Sequence, residues 1–280
     1  SINTGAYPKG HPYSWSVIGS MEDLNAATLD DVKEWFETYY GPTNAVIALA
    51  GDIDLETAKI KVQEYFGDIQ GGPPLTKPKK WIAKRTEQTR EIMEDNVPQT
   101  RIYKVWNVPE DGTPEAQALD LAASTLAGSK NSPLYQELVY KSGLATSASA
   151  FYYGREIAGL FIISATVAPN QDAAKVESII DSTLEKFLKT GPNAKLLKNT
   201  KTSTIAGLTN GLQRIGGFGG KSDILATYQT LYGDAGAFRN ILEMYLDTSA
   251  KEVKEAANKW LSSGDYVLSI VPAQKTSVVE

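Results

Sequence analysis

Two stretches of the chain, far apart in the sequence, share one pattern of apolar and polar positions. In the first, residues 30–51, apolar side chains recur every three or four positions and predict a helix with one apolar face. Thr28 is a predicted N-cap, with acidic residues in the first turn where the helix dipole favours them. The apolar run AVIALAG, residues 45–51, predicts a strand buried on both faces. The apolar face of the helix consists of Val32, Trp35, Phe36, Tyr39 and Tyr40.

The second stretch, residues 251–272, aligns on the first without a gap, at a period of 221 residues. Its equivalent apolar face consists of Val253, Ala256, Ala257, Trp260 and Leu261. This repeat favours a duplicated domain. About 160 residues of its own domain precede the later copy, whereas only 29 residues precede the earlier one. We therefore expect a truncated first copy that lacks an upstream part.

The pattern also predicts the elements between the two copies. A second amphipathic helix is expected over residues 55–66, followed by a stretch rich in Pro, Gly and charge that is typical of a linker. Further strands are predicted in RIYKVWNV, LATSASAFYY, GLFIISATVA and DYVLSIVP, and further helices in TPEAQALDLAASTLAG, SPLYQELVYKSG, DAAKVESIIDSTLEKFLKTG and most of residues 192–261. The predicted fold class is α+β, an antiparallel-rich sheet with helices packed on one side. The predicted domains are 1–70, the C-terminal part of a first domain; 71–90, a linker; and 91–280, a second domain.

Composition narrows the functional classes. The net charge of -5 comes from 28 basic and 33 acidic residues that are mixed along the chain, so nucleic acid is not an expected partner. No apolar run has the length of a membrane span. The absence of cysteine excludes disulfides, thiolate metal ligands and cysteine nucleophiles.

Candidate chemistry is sparse. His11, in GHPYSW, is the only histidine, which excludes a two-histidine metal motif, and we predict a loop histidine bonded to backbone. The cluster IGGFGGKSD has Ile215 where a phosphate-binding loop needs its first glycine, and it lies between predicted helices. Neighbouring carboxylates such as Glu94 and Asp95 do not form a convincing acid–base pair. No residue is predicted to be catalytic or to bind a metal.

Several motifs in order nevertheless resemble one family, the pitrilysin/insulinase-type zinc metallopeptidases, which include mitochondrial processing peptidase. The closing third of the first family domain is similar to GHPYSWSVIGSMEDL, DVKEWFETYYGPTNAVIALAGDID and YFGDI. The second, catalytically silent domain is similar to DNVPQTRIYKVWNVP, LDLAASTLAGSKNSPLYQELVYKSGLATSASAFYYGREIAGLFIISATVAPNQD and GGKSDILATYQTLYGD. The resemblance covers essentially the whole chain.

The resemblance implies where the chemistry lies. In the family the zinc-binding HxxEH helix lies early in the first domain, so zinc is expected in a full-length parent and in no part of this chain. Domains that complete the substrate site carry an arginine and a tyrosine in a stretch like LRxxxGLAY. The matching stretch here, LVYKSGLAT, places Val139 and Thr146 at those positions, so the family pair is not retained. These two residues remain the weak substrate-contact candidates.

The leading hypothesis is therefore a non-catalytic portion of a zinc-dependent metalloendopeptidase, which forms part of a peptide-binding chamber and contacts a partner half. The implied partners are a peptide or unfolded protein substrate and a second homologous half or subunit. The alternative is a non-enzymatic scaffold or peptide-binding homologue of the same fold. An unrelated α+β enzyme that uses only carboxylates is a third hypothesis. Resemblance alone favours an exported or periplasmic bacterial protein.

Overall fold

The computed structural model describes residues 1–273. The strands are β1 (Thr89–Asp95), β2 (Arg101–Val108), β3 (Ala145–Gly154), β4 (Gly159–Val167) and β5 (Tyr266–Pro272). The helices are α1 (Ile2–Ala6), α2 (Met21–Ala26), α3 (Leu29–Tyr39), α4 (Leu55–Phe66), α5 (Pro114–Ala127), α6 (Pro133–Tyr135), α7 (Ala173–Thr190), α8 (Ala194–Gln213), α9 (Lys221–Tyr232), α10 (Phe238–Asp247) and α11 (Ala250–Leu261). A short 3-10 helix spans Pro42–Asn44 and a π-helix spans Gln136–Lys141. Within the described residues no helix is long and apolar enough to cross a membrane.

The chain divides into two compact units. Unit one comprises residues 1–15, 80–202 and 244–273, and it contains the whole sheet. Unit two comprises residues 16–79 and 203–243 and is helical.

The sheet of unit one has the strand order β1-β5-β2-β4-β3. Three neighbouring pairs are antiparallel, and β1 pairs in parallel with β5. β5 therefore lies inside the sheet although it is the last strand within residues 1–273, and β1 and β3 form the two edges. This arrangement confirms the predicted antiparallel-rich sheet.

Helices α5, α7 and α11 cover one face of this sheet. The strands alternate, so that Trp106, Phe161 and Ile163 point into the helical layer and are at most 3% exposed. Helix α5 is rich in alanine, and its small side chains pack against α11 and β3. The main core thus lies between the sheet and one helical layer, which confirms the predicted α+β class.

The first residues of the chain pack on the opposite face of the same sheet. Ala6 and Tyr7 are buried in a second apolar cluster together with Val105 and Tyr266. Gly5 is required there, because a Cβ atom at this position would lie 2.1 Å from the Tyr266 ring. The N-terminal segment is therefore part of unit one.

Residues 45–51 are not a strand, so that prediction is wrong for the described structure. They have no regular secondary structure and no sheet pairing, and Ile47 and Leu49 are 50% and 52% exposed. The apolar pattern detects a segment suited to a buried sheet, but a strand also needs neighbours for its backbone N–H and C=O groups. Within residues 1–273 no strand lies beside this segment.

The helix predicted in SPLYQELVYKSG is largely π-helical. After α6, residues Gln136–Lys141 wind more widely, and the amide of Ser142 donates to the Glu137 carbonyl at 3.2 Å. Leu134 and Leu138 are both fully buried in this segment. The widened turn accommodates one extra residue between the buried positions and the left-handed Gly143, which ends the segment.

Candidate functional site

His11 is a structural residue. Its ring is fully buried and lies between Tyr7 and Trp81, with ring centroids 4.3 Å and 4.5 Å away. The Tyr13 amide donates to Nδ1 at 3.0 Å, so the proton resides on Nε2, which donates to the Trp81 carbonyl at 2.8 Å. Both nitrogens are therefore occupied by backbone groups, which confirms the predicted loop histidine.

The described residues do not fit a zinc ion. Across residues 1–273 no three His, Cys, Asp or Glu side chains converge to form a metal site. The single histidine has no free nitrogen and the chain has no cysteine, so the soft and borderline ligands that zinc prefers are missing.

The two substrate-contact candidates lie in adjoining elements but have no shared chemistry. Val139 lies in the π-helix and packs partly buried against the main core. Thr146 lies on β3, is exposed, and its hydroxyl donates to the Thr166 carbonyl at 3.4 Å. Neither side chain can supply the guanidinium or phenol of the family pair, and their contact with substrate stays a prediction.

Charged side chains do converge in unit one, around Lys104 on β2. The lysine is 3% exposed, and its Nζ donates to Asp181 at 2.5 Å and to Asp265 at 3.0 Å. Gln88 donates to both carboxylate oxygens of Asp265 at 3.1 Å. Burial lowers the pKa of Lys104, but the hydrogen bonds and charges of the two aspartates outweigh it and raise the pKa overall. The ammonium stays charged and bridges the two carboxylates, so this cluster anchors α7 to the sheet.

An adjacent ion pair predicts acid sensitivity. Both guanidinium nitrogens of Arg90 donate to Glu177, at 2.8 Å and 2.6 Å, and this hydrogen bonding lowers the pKa of the Glu177 carboxyl below its usual range. A carboxyl with a lowered folded-state pKa stabilises the fold above its unfolded pKa of about 4.3. That contribution is lost as the pH falls through the folded-state pKa. We expect the free energy of unfolding to fall more steeply between about pH 5 and pH 2 in the unsubstituted chain than in the Glu177→Gln variant.

The measurement is urea denaturation of both proteins across that pH range, with Glu185→Gln as the control. Glu185 pairs with Lys189 on the exposed surface of α7, so its removal tests for a general charge effect. If the free energy of unfolding depends on pH in the same way in the unsubstituted chain and in Glu177→Gln, the stabilising role assigned to the Arg90–Glu177 pair is wrong.

β3 forms one of the two open edges of the sheet. Within residues 1–273 this ten-residue strand pairs only with β4, so every second residue directs its backbone N–H and C=O groups away from the sheet. A β-bulge interrupts the pairing between Ala145 and Ser147. From Ser147 to Gly154 the register with β4 is regular, which leaves a straight edge for another strand.

The side chains of β3 itself are uncharged, and the Arg155 guanidinium lies over the Tyr153 ring, 5.2 Å from its centroid. On the face away from the helices, Phe151 and Tyr153 are 44% and 49% exposed. Ser149 shares a hydroxyl hydrogen bond of 2.8 Å with Ser164, and Ser147 donates to Thr166 at 3.0 Å. Aromatic rings and hydroxyl groups therefore border the edge at opposite ends.

The other edge strand differs in one decisive respect. Four of the seven residues of β1 are charged, namely Arg90, Glu91, Glu94 and Asp95, whereas none of the ten residues of β3 is. Charges on an edge strand oppose pairing with further strands. The chain thus protects one edge and leaves the other open. This lack of charge over residues 145–154 is visible in the sequence, but only the strand order shows that it lies at an edge.

A surface groove of about 700 Å³ also lies in unit one, lined by parts of the π-helix, α7 and the start of α8. Its acidic residue, Glu137, already pairs with Lys141 at 2.7 Å. The groove therefore offers no second carboxylate for acid–base chemistry.

Curated relatives of this chain include zinc proteases. The zinc protease PqqE of Helicobacter pylori is 24% identical over 253 residues, which cover 89% of this chain and 56% of that protein. The zinc protease YmxG of Bacillus subtilis is 25% identical over 194 residues, 68% of this chain and 46% of that protein. The chain thus spans about half the length of these curated relatives.

Solved structures share the fold. A protease from Helicobacter pylori aligns with a TM-score of 0.82 at 23% identity, over 94% of this chain and 63% of that one. A peptidase M16 inactive domain from Pseudomonas fluorescens aligns with a TM-score of 0.81 at 21% identity, over 96% and 63%. A chain of complex III2 from Candida albicans aligns with a TM-score of 0.77 at 14% identity, over 96% and 64%.

The family follows from a direct match. The sequence model described as the peptidase M16 inactive domain matches residues 26–204, which is more than half of the chain. The absence of a metal cluster among the described residues fits a domain of that description. The chain belongs to the M16 peptidase family, of which it carries the inactive domain.

Proposed function

We propose that this chain is the non-catalytic portion of a zinc-dependent metalloendopeptidase, and that its β3 edge holds an extended substrate segment by strand addition. The parent enzyme would hold its zinc outside this chain, as the names of the relatives and the missing ligands here both favour. The chain would form one wall of a peptide-binding chamber and contact a second homologous half.

The open β3 edge is the observation that carries this proposal. An added strand would form backbone hydrogen bonds that do not depend on peptide sequence, which suits an enzyme that accepts unfolded segments. Phe151 and Tyr153 would give its side chains an apolar surface at one end of the strand, and the hydroxyl pairs would bind polar groups at the other.

The dimensions of the edge favour a peptide over a stable subunit contact. A single strand pair buries much less than the about 1,600 Å² of a typical stable protein interface. Contacts limited to this edge would therefore be weak and reversible, as substrate capture before cleavage requires.

Selective N-methylation of a peptide tests the proposal. The probe is a fluorescein-labelled ten-residue peptide that alternates Thr and Val, and binding is measured by fluorescence polarisation. A strand added at a sheet edge forms hydrogen bonds with that edge through alternate residues only. One peptide therefore carries N-methyl groups on three alternate residues, and a second peptide carries them on the three residues between. We expect methylation to block binding when it falls on the residues whose N–H groups face β3, and not when it falls on the others. Losing three hydrogen bonds of about 1 kcal/mol each predicts about 100-fold weaker binding of the sensitive peptide. If the unmethylated peptide does not bind, or if both methylated peptides lose affinity equally, the proposal is refuted.

Charge substitutions provide a matched control within the chain. Phe151→Lys places a charge beside the open edge, whereas Ile92→Lys places one on β1, where the residue is 68% exposed and the strand is already charged. We expect an uncharged peptide to bind at least about 10-fold more weakly to Phe151→Lys, since a charged side chain opposes strand addition. Ile92→Lys should bind it like the parent chain.

The alternative is a non-enzymatic scaffold or peptide-binding homologue of the same fold. The two functions differ in the residues that accompany the inactive domain. An HxxEH motif within about two hundred residues upstream of Ser1 in the reading frame favours the peptidase. Its absence favours the scaffold and leaves the peptide-binding test of β3 unchanged.

A further inference from the structure

The groove of about 700 Å³ in unit one runs along a single face of α7. Its volume lies within the range of about 300–1,000 Å³ that is common for small-molecule sites. The face is about 16 Å long, because its residues are spread over three turns of the helix at about 1.5 Å per residue. The opposite wall includes part of the π-helix, a kind of turn that often occurs at functional sites. The α7 face includes Ile179, Thr183, Lys186, Phe187 and Thr190.

Part of the groove lining is apolar. Phe187 is 4% exposed and belongs to the main core, and Ile179 packs partly buried against the same core. The other apolar residues of the lining are Pro133, Pro192 and Leu196. Such walls gain free energy when they contact an apolar group instead of water. The groove therefore suits a ligand with an apolar body.

Thr183 provides a hydroxyl group that the fold does not use. The residue lines the groove, and it is only 7% exposed. The hydroxyls of Ser182 and Thr190, on the same helix, donate to backbone carbonyls at 3.2 Å and 3.0 Å. Within residues 1–273 the Thr183 hydroxyl has no hydrogen-bond partner. A hydroxyl in this position can donate to a molecule that enters the groove and can also accept from it.

Lys186 sets the sign of the charge in the groove. Its ammonium forms no ion pair in the part of the chain that the structure describes. The acidic residue of the lining, Glu137, is neutralised by Lys141 at 2.7 Å. The carboxylates that flank the groove face on α7 are paired as well, namely Asp181 with Lys104 and Glu185 with Lys189. The end of α7 and the start of α8 meet here, and their opposite dipole charges offset each other. The groove therefore favours an anion.

Asn193 adds a donor at the end of the groove. Its side-chain carbonyl accepts from the amides of Lys195 and Leu196, at 3.0 Å and 3.1 Å. This fixes the orientation of the side-chain amide and leaves its Nδ2 group as a donor, which has no partner among residues 1–273. Together with Lys186 and Thr183, Asn193 gives the lining three unused donor groups. A ligand rich in acceptors is the chemical complement of this lining.

We propose that this groove, the α7 groove, binds a small carboxylic acid with an apolar body. The Lys186 ammonium and the Thr183 hydroxyl donate to the carboxylate, and the apolar body lies against Ile179 and Phe187. Thr183 and Lys186 are three residues apart on α7, so both side chains are within reach of one carboxylate. The groove shares no residue with β3, so this inference is independent of strand addition.

A carboxylate fits the α7 groove better than a phosphate group does. A phosphate carries close to two charges and is usually bound by several cations or by the free amides of a helix N-terminus. Here only Lys186 is unpaired among the charged residues of the lining. The first amides of α8 are already bonded to Asn193. One cation with neutral donors beside it matches a single negative charge.

Amide chemical shifts in NMR spectra of the full chain test the proposal. The probe is 4-phenylbutyrate, and its matched control is 4-phenylbutanamide, which has the same shape but no charge. We expect saturable shifts of the Thr183 and Gly191 amides with a Kd of about 1 mM for the acid, as ligand efficiency predicts for a molecule of this size. The carboxamide should bind about 10-fold more weakly, because it lacks the bond between two charged groups. If the acid causes no saturable shift at the α7 groove, or binds no better than the carboxamide, the proposal is wrong.

Substitutions on α7 separate the ammonium from a general charge effect. Lys186→Gln should weaken the binding of 4-phenylbutyrate about 10-fold and leave that of 4-phenylbutanamide unchanged. Lys189→Gln is the matched control, because Lys189 pairs with Glu185 outside the groove lining, and this variant should bind both probes like the unsubstituted chain. If the two variants weaken binding of the acid equally, Lys186 does not bind the carboxylate and the proposal is overturned.

Thr183→Val tests the hydroxyl separately from the fold. The variant should bind 4-phenylbutyrate about 5-fold more weakly, the effect of one lost hydrogen bond. Its free energy of unfolding should not fall, because the hydroxyl has no partner within the described fold. Unchanged binding of the acid would remove Thr183 from the site and contradict the proposed geometry.

A tripeptide distinguishes a free acid from the end of a polypeptide. N-acetyl-Ala-Ala-Phe carries a carboxylate beside an aromatic ring, as 4-phenylbutyrate does, but it also carries a peptide backbone. If the tripeptide binds at the α7 groove at least about 10-fold more tightly than 4-phenylbutyrate, the groove recognises a chain terminus and the proposal of a small acid is overturned. Equal or weaker binding of the tripeptide supports the small acid.

Discussion

Replacing Lys104 by methionine is expected to lower the free energy of unfolding of unit one by about 3 kcal/mol. Methionine retains much of the length and apolar stem of the lysine but lacks the ammonium that neutralises two aspartates. Asp265 has a side chain that is only 10% exposed, so it would keep a buried charge that is hydrogen-bonded to the Gln88 amide and has the Arg90 guanidinium as its nearby positive charge. Breaking a buried ion pair on one side costs more than removing the pair, because the remaining charge is not solvated.

Native-state hydrogen exchange of the slowest β2 amides measures this loss within unit one alone. The double variant Lys104→Met/Asp265→Asn is the key control, because it also removes the buried negative charge of Asp265 and should recover a large part of the stability. Asp181→Asn should cost less than about 1 kcal/mol, since that carboxylate is half exposed and remains accessible to water. If the single and double variants lose the same free energy of unfolding, the loss comes from the changed packing at Lys104 and not from the buried charge of Asp265.

Truncating Phe161 to alanine is expected to destabilise unit one by about 3–5 kcal/mol. Its ring is fully buried on β4 and meets the Trp106 ring edge-on, with centroids 6.1 Å apart. Removing it loses apolar burial and leaves a cavity between the sheet and α5, which the surrounding β-strands cannot readily fill. The same exchange measurement on β4 amides reports the effect.

Phe36→Ala is the matched control for this prediction. The Phe36 ring is 52% exposed on α3, so its truncation in the present chain should change stability by less than about 1 kcal/mol. A small effect of Phe161→Ala would contradict the assignment of this residue to the core.

The elements that were predicted well are those stabilised by their own sequence. Helices α5, α7 and α11 have an N-cap residue and a continuous periodic pattern, and each lies where the pattern places it. The prediction for residues 45–51 is wrong because a strand depends on a neighbour that no local pattern can supply. The π-helix was missed for a related reason, since one extra residue in a turn changes hydrogen bonding but leaves the apolar spacing almost unaltered.

In the candidate site, too, some features could be predicted from the sequence and others required the tertiary structure. The single histidine and the lack of cysteine were enough to predict that the chain has no two-histidine zinc motif and no thiolate ligand. The sequence also shows that LATSASAFYY is uncharged, but this indicates an edge open to a further strand only once the strand is known to lie at the edge of the sheet. Lys104 was not identified, because a lysine in a strand is usually exposed and its two partners are 77 and 161 residues away in sequence.

The sequence alone determined the helices, most strands, the fold class, the internal repeat and the exclusion of a two-histidine motif and of thiolate ligands, because these depend on residue type and local spacing. The tertiary structure decided which strand is central, which edges are open and which charges are buried. The parallel pairing of β1 with β5 joins residues 177 positions apart, and it is what places β3 at the free edge. Such pairings depend on the competition of whole strands for neighbours, a global property that no short stretch of sequence contains.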